Sequence, residues 1–128
     1  MRALLDTHTL LWWVLEDRAL SPAAKEIISE RDNAVLVSAA SGWELAIKFR
    51  AGKLPNAADL VMAFSSAVEE EGFHMLSISA EHGIRAGLLP GPHKDPFDRM
   101  LVAQAQAEHA SIISNDPVFD AYGVKRLW

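Results

Sequence analysis

Short apolar runs alternate with amphipathic helical stretches along nearly the whole chain, and no other feature constrains its fold as much. Residues 2–6 read as a short buried strand ending in Asp6. From Thr7 onward Leu10, Leu11, Val14 and Leu15 fall at helical spacing. Ser21–Pro22 opens a second helix, with Ser as N-cap and Pro at the first helical position, running to about Arg31. Asp32–Asn33 is a turn, and residues 34–38 form a continuous apolar run typical of a strand covered on both faces. One helix spans about Ser41 to Arg50 and stops at Gly52, and another spans Ala57 to about Glu71 and stops at Gly72. Residues 73–78 read as a third strand, 80–88 as a short helix, 97–109 as a strong helix, 110–114 as a fourth strand and 123–127 as a short fifth. Residues 90–94 are the one Pro/Gly cluster, and residues 117–122 a short helix or turn.

Such an order argues for an α/β fold: a mostly parallel sheet of four to five strands with helices on both faces. Right-handed crossovers then send the C-terminal ends of the strands to one edge. Open α/β sheets bind their ligands at that edge. The 128 residues, half of them apolar, suffice for one core and suggest a single domain over 1–128.

Four acids stand where an expected strand gives way to an expected helix: Asp6, Glu44, Asp98 and Asp116. Each has a structural explanation of its own. Asp6 can cap the helix after it, and Ser41–Gly42–Trp43–Glu44 fits a capping box with Ser41 as N-cap. Asp95–Pro96–Phe97–Asp98 and Asp116–Pro117 both read as a cap followed by Pro. The helix macrodipole favours an acid at each such place by about 0.3–1 kcal/mol. Yet Ser, Thr or Asn would cap equally well. Four carboxylates gathered at one edge repel one another, and a hard divalent cation relieves that repulsion. Oxygen-only donors suit Mg²⁺ or Mn²⁺ better than zinc.

Composition removes other chemistries. Without cysteine there is no disulfide, thiolate nucleophile or iron–sulfur cluster. A net charge of −5, from 17 acidic and 12 basic residues, does not suit a protein that coats nucleic acid. A nucleic-acid substrate stays compatible with it where metal ions supply local positive charge. The apolar run at the start is too short for a secretory core, and no stretch approaches the roughly 20 apolar residues of a membrane span. A cytoplasmic protein is the default expectation.

At these acids the chain resembles the PIN-domain family, and within it the VapC-type toxin ribonucleases of type II toxin–antitoxin pairs. Residues 4–12 resemble the opening strand and first acid of the family, and residues 38–48 the helix with the second. His93–Lys94–Asp95–Pro96–Phe97–Asp98–Arg99, followed by Leu101, Ala103, Gln104 and Ala105, resembles the third motif, which is long and specific. Ser114–Asn115–Asp116 resembles the short fourth motif, with Ser where the family often has Thr. The resemblance implies a PIN-like three-layer α/β/α sandwich and Mg²⁺- or Mn²⁺-dependent cleavage of RNA phosphodiester bonds. It maps catalytic and metal-binding roles onto Asp6, Glu44, Asp98 and Asp116. It also implies a small antitoxin partner and a homodimer.

The residues leave some roles open. Glu44 could bind metal or orient the attacking water. Asp95 could cap its helix or support the ligands from outside, and Thr7 and Ser114 could hydrogen-bond ligand carboxylates or backbone. Lys48 and Arg99 could contact phosphate; the alternative is an i,i+4 Glu44–Lys48 pair and an ordinary solvated arginine. His8 and His93 read as surface or core residues. One ring of the adjacent Trp12–Trp13 pair is expected to face outward. Two rival functions also remain. An aspartyl-phosphatase or phosphoacceptor domain would want acid pairs that this chain lacks, since Asp6–Thr7–His8 follows the first strand. A non-catalytic binding module would use the acids as caps alone.

Overall fold

The computed structural model describes residues 1–128. Its five strands are β1 (Arg2–Leu5), β2 (Ala34–Ser38), β3 (His74–Leu76), β4 (Ser111–Ile113) and β5 (Arg126–Leu127). They form one sheet in the order β3-β2-β1-β4-β5, and every pairing is parallel. The helices are α1 (Thr7–Val14), α2 (Pro22–Ser29), α3 (Ala39–Arg50), α4 (Ala58–Met62), α5 (Phe64–Glu70), α6 (Ala80–Leu88) and α7 (Pro96–Glu108). Two 3₁₀ segments, Pro55–Ala57 and Pro117–Tyr122, complete the chain. None of the helices is long and apolar enough to cross a membrane.

Alternation along the central strands builds two cores, one on each face of the sheet. Ala3, Leu5, Val35, Val37 and Ile113 face one way and meet Leu10, Leu11, Leu45, Leu60 and Val68. Leu4, Leu36 and Ile112 face the other way and meet Leu101, Val102, Ala105 and Phe119. Because β1, β2 and β4 are covered on both sides, they read in sequence as unbroken apolar runs. The result is the expected three-layer α/β/α sandwich. On the first face, Gly42 lets α3 close on α5: a Cβ there would lie 3.1 Å from the Phe64 ring.

Winding runs outward from β1 through β2 to β3, then crosses back to β4 on the other side of β1. The switch point therefore lies between β1 and β4, and Asp6 and Asp116 follow those two strands. Thr9 locks this junction: its hydroxyl, fully buried, donates to the Ile113 carbonyl at 2.8 Å.

Several boundaries differ from expectation for physical reasons. The expected helix over 57–71 is broken at Ala63, whose φ of −129° and ψ of 37° are not helical. The strand expected over 73–78 pairs only at 74–76, because it lies at the sheet edge with one neighbour. Neither Trp12 nor Trp13 points freely outward. Trp12 meets Trp128 edge-on at 5.8 Å, while Trp13 packs on Phe73 and donates Nε1–H to Glu71. The exposed indole is Trp43 instead, at 60%.

Candidate active site

The largest departure from expectation concerns how Glu44 reaches the site. Ser38 both ends β2 and caps α3, accepting the Ala40 amide at 3.0 Å. With no linker between strand and helix, α3 starts at Ala39, so the capping box expected of Ser41 and Glu44 does not form. Glu44 sits in the second turn of α3 rather than at the junction. Helical side chains tilt toward the helix N-terminus, and this carries its carboxylate back to the strand edge. Ser41, also buried, joins it there.

The other three acids lie at helix starts. Asp6 caps α1, accepting the Thr9 amide on Oδ1 at 2.7 Å. Asp95 caps α7 through the amides of Phe97 and Asp98, at 2.9 and 3.0 Å, and places Asp98 in the first turn. Asp116 caps the 3₁₀ segment through the Val118 amide at 3.0 Å. All four acids line one cavity of about 200 Å³, together with Thr7, His8, Lys48, Asp95 and Asn115. None of its lining residues is hydrophobic. Asp6 and Glu44 are buried, Asp98 is partly buried and Asp116 is exposed.

Burying two carboxylates requires partners, and each has them. Ser114 donates its hydroxyl to Asp6 Oδ2 and accepts the Asp116 amide at 3.0 Å, which ties the first and fourth acids together. Thr7 Oγ1 lies 2.6 Å from Glu44 Oε1 and 3.0 Å from Ser41 Oγ. Having one proton, it donates to the carboxylate and accepts from Ser41. Lys48 holds Glu44 Oε2 at 2.6 Å as an i,i+4 ion pair. Asp98, partly buried, meets the His93 ring at 2.8 Å and no Lys or Arg. Burial foremost pushes its carboxyl up to about 6. The charges of Asp95 and Glu44 push the same way, and the hydrogen bond from His93 opposes them.

Whether a divalent cation suits these residues is answered by the donor set. Carboxylates and hydroxyls are the hard oxygen donors that Mg²⁺ and Mn²⁺ take. No three of the acids and histidines converge tightly enough to form a ready coordination shell. Glu44 is drawn to Lys48, and Asp98 to His93 at 2.8 Å, as mutually repelling anions would be.

Two residues break with the reading of the sequence. Arg99, expected to reach phosphate or to lie in solvent, does neither. Its guanidinium donates to the carbonyls of Ala86 at 2.9 Å, His93 at 3.1 Å and Leu89, and so clamps the end of α6 to the loop before α7. At the fourth position of α7 it projects away from the acids. Replacing it should cost stability: a hydrogen bond to a charged group is worth about 1.5–3 kcal/mol, and the three part-buried carbonyls that share this guanidinium regain water in part when it is lost. We expect Arg99→Met to lower unfolding free energy by about 2–3 kcal/mol in urea titrations. A change below about 0.5 kcal/mol would show that the clamp is dispensable. His93 is the residue that sequence reasoning missed. It sits in an irregular loop, where no periodicity reveals that its ring turns onto Asp98.

The PIN-domain family model matches residues 3–125. The chain belongs to that family. Among solved structures it is similar to VapC toxins and VapBC complexes. VapBC2 from Rickettsia felis, bound to a DNA fragment from its promoter, superposes with a TM-score of 0.72 at 17% identity, covering 100% of this chain and 99% of that one. VapC20 from Mycobacterium tuberculosis, a sarcin–ricin loop cleaving toxin, gives 0.66 at 16% identity and covers 95% of both chains. VapBC-1 from nontypeable Haemophilus influenzae gives 0.63 at 17%, covering 99% and 97%. At such identities the likeness is one of fold. Comparison with curated protein sequences finds no match.

Proposed function

We propose that this protein is a Mg²⁺- or Mn²⁺-dependent endoribonuclease, the toxin of a toxin–antitoxin pair, acting in the cytoplasm as a homodimer restrained by a small antitoxin. The observation that carries this reading is the meeting of Asp6, Glu44, Asp98 and Asp116 on one wholly polar cavity at the switch point of a PIN-family sheet. Toxin–antitoxin complexes among its structural neighbours support the partner.

Asp6, Asp98 and Asp116 would hold the metal, with Glu44 as a further ligand or as the base that orients water. Bound divalent ions make water acidic and offset charge on phosphate. The chain's own groups do the rest. Ser114 fixes Asp6 and the backbone of Asp116 together, Thr7 and Lys48 fix both oxygens of Glu44, and Asp95 holds the first turn that carries Asp98. Lys48 is the one Lys or Arg on the cavity wall and is assigned to the RNA phosphate. Glu44 must loosen from Lys48 to accept a proton, and Lys48 gains the phosphate in exchange.

Purified protein should cleave RNA with Mn²⁺ or Mg²⁺ and stop with EDTA, and Asp6→Asn should lose the activity. Millimolar Mn²⁺ should also raise thermal stability, by about 2.7 kcal/mol at a hundred times Kd. Cleavage that survives both EDTA and Asp6→Asn would overturn the site. An absent Mn²⁺ response would leave the acids with structural roles alone.

A further inference from the structure

A second cavity, of about 350 Å³, lies between the Pro90–His93 loop and the 3₁₀ segment Pro117–Tyr122. Its size is within the range of small-molecule sites. It adjoins the acidic cavity at two points: His93 lines it while its ring bonds Asp98, and Pro117 directly follows Asp116. Its walls are of another kind, built from the rings of Pro90, Pro92, Pro117 and Tyr122 with the Val118 side chain. The Tyr122 hydroxyl is buried and has no hydrogen-bond partner. Buried phenols ordinarily find one. Gly91, at a φ of +102°, carries the loop backbone close by, and a Cβ there would lie 3.8 Å from that hydroxyl.

Charge bears on what such a cavity takes. Nucleic-acid binders usually draw affinity from Lys and Arg on phosphates. This chain carries a net charge of −5 and offers only Lys48 at the acidic cavity. Stacking of bases on ring faces supplies affinity without charge.

We propose that this second cavity is a nucleobase subsite. A base of the RNA strand lies among the proline rings and against the Tyr122 ring, and its phosphate is thereby set against the acidic cavity. The subsite rests on the ribonuclease reading of that cavity.

The test is calorimetric binding of the four nucleoside 5′-monophosphates, and of ribose 5-phosphate, to the protein in Mn²⁺. Ribose 5-phosphate keeps the sugar and phosphate but has no base. At least one nucleotide should bind about tenfold tighter than ribose 5-phosphate. Val118→Trp, which fills the cavity, should erase that difference and leave ribose 5-phosphate binding unchanged. Pro92→Glu, at an exposed position, should do the same and serves if the tryptophan variant does not fold. Equal affinity for all five ligands, with Mn²⁺ still bound, overturns the subsite and leaves the metal reading standing. Failure to bind Mn²⁺ overturns both.

Discussion

Asp98→Asn should remove at least about a hundredfold of the metal-dependent RNA cleavage while making the metal-free protein more stable at pH 7.5. The loss would exceed the 10–100-fold that follows removal of a group merely supporting a ligand. The gain in stability comes from the same carboxylate. Its pKa in the folded protein is about 6, raised from 3.8 chiefly by burial. Between those values the folded state binds more protons than the unfolded state, so wild-type stability falls as pH rises through the window. The penalty is absent below about pH 4 and complete above about pH 6. A shift of that size corresponds to at most about 3 kcal/mol. The side chain is 23% exposed, so solvent screens part of it, and loss of the helix-dipole contribution removes a further 0.3–1 kcal/mol. A net gain of about 1 kcal/mol for the Asn variant remains.

Urea unfolding of both proteins at pH 4, 5, 6 and 7.5 with EDTA checks this. The two curves should coincide at pH 4 and separate above pH 5. Equal stability across the range would mean that Asp98 is not strained in the folded state. Metal binding needs the ionised carboxylate, so Mn²⁺ affinity of the wild type should weaken about tenfold per pH unit below 6. Function and stability would then oppose each other at one atom pair.

Phe119→Ala should be the most destabilising single change. The ring is 1% exposed and packs with Leu4, Leu101, Val102, Ala105 and Ile112 in the core beneath α7. Truncating a buried phenylalanine costs about 3–5 kcal/mol, a large share of the 5–15 kcal/mol that holds a domain together. For a chain of this size the melting temperature should fall by roughly 10–20 °C. A fall under 5 °C would show that the 3₁₀ segment is not anchored through this ring. The change should also weaken Mn²⁺ binding, because Phe119 seats the segment whose first amides Asp116 caps.

Most of the architecture was legible because the buried strands announce themselves as unbroken apolar runs and the helices by Ser–Pro, Asp–Pro and Gly punctuation. Ser21, Asp95 and Asp116 were read as caps, and they cap. Ser41 was read as a cap and is not, since Ser38 performs that task from inside the strand; two serines three residues apart give the same local signal, and only the tight strand-to-helix turn decides between them. The parallel order made the convergence of the four acids on one cavity plausible, and the resemblance around Asp98 strengthened that expectation. The partners of those acids followed in part. Lys48 was foreseeable as an i,i+4 neighbour of Glu44, and Thr7 and Ser114 as hydroxyls for ligand carboxylates, which they meet at Glu44 and Asp6, whereas His93 reaches Asp98 from an irregular loop. Arg99 was misjudged because its acceptors are backbone carbonyls, which carry no signature in sequence.

The pairing of β1 with β4 makes the acidic cavity depend on contact between distant parts of the chain. Asp6 has its hydroxyl partner at Ser114, its amide acceptor at Ile113 and its companion acid at Asp116. A nascent chain halted at residue 100 carries three of the four acids but lacks the strand that would gather them. Under the reading proposed above, a chain that has not yet paired β1 with β4 is harmless to RNA, and activity begins only when that pairing forms.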